Sequence, residues 1–265
     1  MPNTSTKQKM LAAGKVALVT GATGGLGYDI VKRLAQDGFT VVATATTDKN
    51  CQQILANAQS DGLTGVHALP LNVTNEDSVQ TLIRTVDEQF ARLDVLVNNA
   101  GIALRVNGKK SLVVDTPLAD WQRTLDTNLT GTFLVSKHAI PLMQRNRWGR
   151  IINMSSRAAR TRTILAGSHY AASKAGILGF SRILADEVAS SGITVNCVAP
   201  TRISTPMAKS VSNPAEMDAR FIAETPVGRL GVPQDVSAVV SFLVSEEASF
   251  LTGIIVDISG GQFMP

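Results

Sequence analysis

An α/β fold built on a parallel sheet is the class this sequence predicts, and three observations predict it. Short apolar runs alternate with longer amphipathic segments, the pattern of repeated βα units. A glycine-rich turn lies directly between the first apolar run and the first amphipathic segment. No Pro/Ser-rich linker and no internal repeat divides the 265 residues, a length suited to one such domain with a substantial core.

The elements follow in order. Val16–Val19 reads as the first strand, the Thr20–Gly27 turn comes next, and Leu26–Gln36 is the helix after it. Thr40–Ala43 and Val66–Leu71 are the second and third strands, the latter ended by Asn72, and Asp77–Phe90 is a helix. Val95–Val97 is a buried strand stopping at Asn98-Asn99-Ala100-Gly101. Trp121–Met143 reads as one long helix with Pro141 near its end. Arg150–Met154 is the next strand, followed by a loop and then a helix bearing Tyr170 and Lys174. Thr194–Val198 and Ile254–Val256 supply the last strands. Residues 13–265 are thus expected to form one domain. From Pro200 to about Gly231, three further prolines break the βα rhythm; because ligands bind at the carboxyl ends of strands in such sheets, this insertion is expected to act as a lid.

Composition narrows the function classes. With 44% hydrophobic and 17% charged residues, the chain is neither disordered nor a coiled coil. No apolar run approaches the ~18 residues of a membrane span. Met1–Ala12 is polar and small, lacks the apolar stretch of a secretory signal, and reads as a disordered lead-in. Two cysteines, Cys51 and Cys197, cannot frame a secreted scaffold, which points to the reducing cytoplasm. The net charge of +4 comes without a basic block, zinc-ligand spacing or aromatic-basic platform. A mildly basic soluble enzyme therefore outweighs a nucleic-acid binder, and no metal site is expected.

Two spacings carry the chemistry. Gly21, Gly25 and Gly27, with Thr23 and Leu26 between them, lie where a strand feeds a helix. Gly21 permits a tight turn, Gly25 clears space for a pyrophosphate and Gly27 allows close helix–strand packing, while the helix start offers free N–H groups to phosphate. Tyr170 and Lys174 are four residues apart, on one helix face. An ammonium beside a phenol eases loss of its proton, so the pair is expected to lower the tyrosine pKa from its usual ~10. Together the motifs point to hydride movement on a nicotinamide and proton movement on a tyrosine.

The end of the second strand bears on NADP against NAD. A carboxylate there would bond the ribose 2′-hydroxyl; Ala45 occupies the place and Asp48 comes too late. A carboxylate ~4 Å from a 2′-phosphate would cost about 4 kcal/mol at an effective dielectric near 20, so its absence removes a block against NADP. Thr46 and Thr47 offer hydroxyls and Lys49 a cation, although Gly24 stands where an arginine would clamp the phosphate. NADP(H) is therefore preferred, with NAD(H) open. Asn99, Ala100 and Gly101 are expected on the nucleotide side of the cleft, where a plain turn reads equally well. Asn72-Val73 is a candidate adenine wall.

These residues carry a resemblance. Thr20–Gly27, Asn98–Gly101, Asn128, Ser156, Tyr170-x-x-x-Lys174 and Pro200 with Thr205-Pro206-Met207 resemble the short-chain dehydrogenase/reductase family, from about Lys15 to Phe263. Thr44-Ala45-Thr46, Leu71–Thr74 and Thr127-Asn128-Leu129 are similar to 3-oxoacyl-carrier-protein reductases; Gly24-Gly25, Trp148-Gly149-Arg150 and Ser245-Glu246-Glu247 are similar to acetoacetyl-coenzyme A reductases. The resemblance implies a single-domain, doubly wound Rossmann fold with a seven-stranded parallel sheet, helices on both faces, and assembly as a homotetramer. It implies that Ser156 donates to the substrate oxygen, Tyr170 gives the proton, Lys174 also binds the nicotinamide ribose and Asn128 holds a water linking lysine to solvent. Ile203 and Thr205 would contact the carboxamide beside Pro200. Ser155 competes with Ser156 from local sequence, and the family register favours Ser156.

Two departures stand out. Thr201 replaces a glycine the family commonly carries, which puts the nicotinamide-side geometry in question. Of two basic residues that dock an acidic carrier protein, Arg147 matches one while the other position is Ser191. Arg157, Arg160 and Arg162 crowd the loop before Tyr170; a solvated basic loop is the plainer reading, and Arg157 meeting a substrate phosphate or carboxylate is the sharper one. The segment Arg105–Pro117, with Lys109 and Lys110, is a candidate second substrate wall. The expected activity is reduction of a small-molecule carbonyl, foremost a coenzyme A- or carrier-protein-linked 3-oxoacyl thioester. The alternatives are a sugar, polyol or other secondary-alcohol dehydrogenase, or a nucleotide-sensing regulator that would not need the tyrosine–lysine–serine set. Neither nucleic acid nor membrane is an expected partner.

Overall fold

The computed structural model describes residues 12–265. The lead-in expected over Met1–Ala12 lies outside them except for Ala12, which is buried against the core.

Seven parallel strands form one sheet, in the spatial order β3-β2-β1-β4-β5-β6-β7. They are β1 (Val16–Val19), β2 (Thr40–Ala45), β3 (Val66–Pro70), β4 (Val95–Asn98), β5 (Gly149–Met154), β6 (Ile193–Pro200) and β7 (Ile255–Ile258). The register places Leu18 of β1 beside Val42 of β2 and Leu96 of β4. Side chains alternate across the sheet, so each apolar strand supplies both faces. Ala17, Val19, Val41, Ala43 and Val97 pack on one side with Ile30, Ile54 and Val240. Leu18, Val42, Leu96 and Ile151 pack on the other with Leu82, Val135 and Leu184.

Helices α1 (Gly25–Gln36) and α2 (Asp48–Ser60) cover the first face, and α3 (Glu76–Phe90) covers the second. The side chains of Thr47 and Asn75 cap α2 and α3, accepting from Asn50 N at 3.2 Å and Ser78 N at 2.7 Å. Each cap satisfies one N–H that the first turn leaves without a helical partner. The expected single helix over Trp121–Met143 is interrupted. It runs as α4 (Leu118–Leu125), a wider π-helical turn over Asp126–Thr130, and α5 (Gly131–Gln144). Then come α6 (Ser168–Ala189), the two short helices α7 (Pro206–Lys209) and α8 (Pro214–Glu224), and α9 (Pro233–Leu243).

β1 pairs with β2 on one side and with β4 on the other, so the chain reverses its direction of winding there. The reversal opens a crevice at the carboxyl ends of these strands, the place where α/β sheets bind ligands. The segment 200–231 carries α7 and α8 in place of a βα unit and touches that crevice. Among the described residues, no helix is long and apolar enough to cross a membrane, and no cluster of side chains is arranged to hold a metal ion.

Candidate active site

A cleft of about 1170 Å³ occupies the crevice, large enough for a dinucleotide together with a small substrate. One half is a backbone cradle. Gly21, at φ 66°, lies against the Ala100 backbone, where an added Cβ would approach Cα to 2.7 Å. At Gly27 the same atom would meet Gly21 O at 2.3 Å. Asn99 stitches the turn down, its Nδ2 donating to Thr20 O at 3.0 Å and Gly21 O at 2.9 Å. The Thr20 hydroxyl accepts from the N–H groups of Asn99 and Ala100, both at 3.0 Å. Gly24 caps α1 without a side chain, so the helix presents free N–H groups and its positive end to the cleft. These residues fit a pyrophosphate: close packing at Gly21 and Gly27 shapes the turn, and open space at Gly24 leaves the first N–H groups of α1 uncovered.

Thr23, Leu26, Thr46, Asn72, Val73, Asn99, Ala100, Gly101, Pro200, Ile203 and Thr205 all line this cleft. Val73 is buried, packed by Gly131 at the start of α5. The Asn72 side chain accepts from Thr74 N at 3.1 Å and from its hydroxyl at 2.8 Å, which shapes the turn beside it. Thr201 keeps an ordinary backbone without positive φ, and its hydroxyl bonds Gln262 Oε1. The missing glycine therefore leaves the strand end unstrained.

The other half of the cleft holds the reactive side chains. β5 ends at Met154, and the next two residues diverge. Ser155 is buried, and its hydroxyl donates to Lys174 O at 2.9 Å. Ser156 lines the cleft with Tyr170, close enough to offset the effect of burial on its phenol, and its Oγ accepts from Ala158 N at 3.2 Å. Both serines border the cleft, and of the two it is the Ser155 hydroxyl that is engaged by the Lys174 carbonyl. Tyr170, in the first turn of α6, forms part of the cleft wall.

Lys174 is buried at 4% exposure, and its Nζ donates to Met154 O at 2.7 Å. Burial pulls its pKa down from 10.5 to about 8, slightly opposed by the Cys197 thiol. The expectation that Lys174 makes the phenol acidic is corrected here. Burial pushes Tyr170 up, and the groups that offset it are the Ser156 hydroxyl and then the Arg105 guanidinium. The lysine's charge is turned to the Met154 carbonyl, with Nζ 5.8 Å from the centre of the tyrosine ring.

Asn128 lies in the π-helical turn, fully buried. Its Oδ1 accepts from Ile102 N at 2.8 Å, while Nδ2 donates to Ile102 O at 3.0 Å and the Ser173 hydroxyl at 3.0 Å. These bonds fasten the chain after β4 to α6. The turn itself explains the break in the long helix, since wider turns of this kind occur mostly where function asks for them.

The arginine loop divides. Arg157 lines the cleft, 5.9 Å from the centre of the Phe221 ring. Arg160 turns away to Asp257 at 3.5 Å, and Arg162 is exposed outside the cleft lining. The second expected wall contributes Arg105, whereas Lys110 donates to Thr163 O at 2.9 Å. Sequence reasoning missed Arg202, buried in the lining and paired with Asp218 at 2.6 Å, and Phe221 of α8. Only the position of Arg202 next to Thr201 at a strand's carboxyl end could have flagged it.

Comparison with known proteins agrees with this geometry. A family profile described as Enoyl-(Acyl carrier protein) reductase matches residues 21–262. The chain is similar to the 3-oxoacyl-(acyl-carrier-protein) reductase FabG of Vibrio cholerae serotype O1, at 39% identity over 95% of this chain and 98% of that protein. A solved 3-oxoacyl-(acyl-carrier protein) reductase from Brucella melitensis superposes with a TM-score of 0.91 at 34% identity, covering 100% of this chain and 97% of that one. A second Brucella melitensis reductase of the same description, solved with bound NAD, gives 0.87 at 33% identity, covering 97% and 96%.

Proposed function

The chain belongs to the short-chain dehydrogenase/reductase family, and on that premise we propose that it reduces the carbonyl of a 3-oxoacyl thioester to a secondary alcohol with NADP(H). The observation that carries the reading is one cleft lined by Ser156, Tyr170 and Lys174 on one side and by the glycine turn Gly21–Gly27 on the other. The bound nicotinamide nucleotide supplies the hydride. As negative charge grows on the substrate oxygen, Ser156 donates a hydrogen bond to it and Tyr170 delivers the proton. Because burial raises the phenol's pKa, Tyr170 carries its proton at neutral pH, the state that reduction requires.

Lys174 binds the nicotinamide ribose with the donors that Met154 leaves free. Asn128 positions the catalytic helix by clamping Ile102 and Ser173. Gly21, Gly25 and Gly27 admit the pyrophosphate, with Thr23 and Leu26 between them, and Asn72, Val73 and Thr46 take the adenosine side. Ile203 and Thr205 hold the carboxamide, and residues 200–231 close over the substrate as the lid of one domain. Arg157 faces a phosphate or carboxylate on the substrate. NADP(H) is favoured because β2 ends in Ala45 and Thr46 without a carboxylate, and NAD(H) is accommodated by the same bare surface.

We further read the protein as a cytoplasmic homotetramer. Both cysteines are free. Phe133 and Ile183, on α5 and α6, and Phe250 leave apolar surface exposed for neighbouring copies. NADPH and NADH oxidation measured with acetoacetyl-coenzyme A and a panel of ketones tests the activity. Cofactor binding with no carbonyl reduced and no alcohol oxidised would overturn it in favour of a sensor.

A further inference from the structure

Three guanidinium groups line the substrate end of the cleft, and they are not equally provided for. Arg202 is buried and satisfied, by Asp218 at 2.6 Å and Ala208 O at 3.0 Å. Arg157 lies over one side of the Phe221 ring contacts that Arg202 also makes, at 5.9 and 5.4 Å from its centre. Arg105 has one side-chain bond, from Nη1 to the Ser210 hydroxyl at 2.9 Å, and its Nε is buried with no acceptor. Among the described residues, no carboxylate pairs with Arg105 or Arg157.

Arg105 is held in place from both sides. Asn128 clamps the Ile102 backbone on the near side. Beyond it, the turn at Gly108 docks on the lid, accepting from Ser212 N at 3.1 Å. This loop is fixed on both flanks, so the guanidinium is presented rather than left to drift. It is near enough to act on the Tyr170 phenol, and Arg202 adds repulsion to it. A partly buried cation with an unfilled N–H, no paired carboxylate and a like charge nearby is an unfavourable arrangement.

A thioester does not relieve it, because a carrier's phosphate lies a full pantetheine arm away from the reacting carbonyl. A carboxylate two or three bonds from that carbonyl does. We propose that Arg105 is a substrate-carboxylate anchor, so that beside 3-oxoacyl thioesters this site takes small oxo acids, with the carboxylate close to the carbonyl, in preference to their simple neutral esters. The proposal rests on the carbonyl reduction assigned above to Ser156 and Tyr170. The carboxylate takes no part in bond making: the hydride from the reduced nicotinamide nucleotide goes to the carbonyl carbon, the phenol proton goes to its oxygen, and the acid leaves as a hydroxy acid. Guanidinium geometry suits two parallel bonds to a carboxylate, and Arg157 stands in the same lining to share its charge.

The test compares acetoacetate, methyl acetoacetate and acetoacetyl-coenzyme A as substrates of the full chain, by NADPH consumption. The expected kcat/KM is about 10- to 100-fold higher for the acid than for its ester, the range of a charge-assisted hydrogen bond. Arg105→Met should collapse the acid-to-ester ratio towards one, mainly through KM, and Arg105→Lys should restore part of it. In parallel, malonate binding to the protein without cofactor is followed by calorimetry, and it should be lost in Arg105→Met. Turnover of the acid no better than that of its methyl ester overturns the anchor while leaving the reductase reading intact. Absence of all turnover overturns that reading, and the malonate arm then decides alone: binding that is absent, or equal in wild type and Arg105→Met, overturns the anchor.

Discussion

Replacing Lys174 by methionine should remove activity and, at neutral pH, remove a source of instability. The ammonium is enclosed, and its pKa falls from 10.5 in the unfolded chain to about 8 in the folded one. The folded state therefore holds this proton less tightly than the unfolded state does. Stability contributed by this residue rises with pH between about 8 and 10.5, and below about 8 the buried charge destabilises the fold by about 3 kcal/mol. Between pH 7 and 9.5 the folded wild type should gain about 2 kcal/mol that a methionine cannot gain.

Comparing two pH values isolates this effect. Lys174 also donates to Met154 O at 2.7 Å, and deleting that donor leaves a buried carbonyl unpaired at a cost of about 1–3 kcal/mol. That loss is the same at both pH values and cancels in the double difference. The assay is urea unfolding of wild type and Lys174→Met at pH 7 and pH 9.5, in the absence of cofactor. The wild type should become more stable relative to the variant by about 2 kcal/mol at the higher pH. Parallel pH profiles would mean that the ammonium is solvated in the folded protein, and the account of the buried lysine would be wrong.

Other substitutions test the remaining parts. Tyr170→Phe should lower turnover by about 10²-fold or more with nucleotide affinity kept, measured by steady-state kinetics and fluorescence titration. Ser156→Ala should lower kcat by about 10²-fold with little change in unfolding midpoint, whereas Ser155→Ala, which loses the bond to Lys174 O, should cost about 1 kcal/mol of stability. Gly27→Ala forces a methyl to 2.3 Å from Gly21 O, an overlap of two backbone-fixed groups worth about 3 kcal/mol, and should abolish nucleotide binding in a calorimetric titration. Gly24→Arg has open space around it and should shift selectivity towards NADPH over NADH by about tenfold, read as the ratio of kcat/KM values.

The parts that were legible in the sequence were those fixed by short-range geometry. The seven strands stand where apolar runs were read; β1, β2, β4, β5 and β6 are buried on both faces, which needs continuous hydrophobicity. The glycine turn was legible because only glycine tolerates both φ 66° at Gly21 and the backbone contact at Gly27. The helix α2 was not foreseen, since only Cys51, Ile54 and Ala58 of its thirteen residues are buried and its polar composition hides that stripe. The π-helical turn was invisible too: Asp126–Thr130 continues the helical pattern on either side, and what widens it is the bond between Asn128 and Ile102 across 26 residues. Arg105, Arg157 and Arg202 converge only through the fold, from loops after three different strands.

The lysine shows why spacing alone misled. Four residues along a helix put Tyr170 and Lys174 on one face, but the face does not say where a long side chain sends its charge. Here the nearest strong acceptor is the carbonyl of Met154 at the end of β5, and Nζ takes it. Burial then acts on both groups in the direction of neutrality, raising the phenol and lowering the ammonium. A cleft that opposes charge on its own acid and on its own cation must get compensation from elsewhere. For the developing oxyanion it comes from the Ser156 hydroxyl; for the phenol it comes partly from Arg105, itself a cation lacking a partner. An incoming carboxylate would neutralise Arg105 and so weaken its pull on Tyr170, keeping the phenol protonated when substrate is bound. Charge brought by the substrate would thus set the acid for reduction, which ties the specificity of this site to its direction.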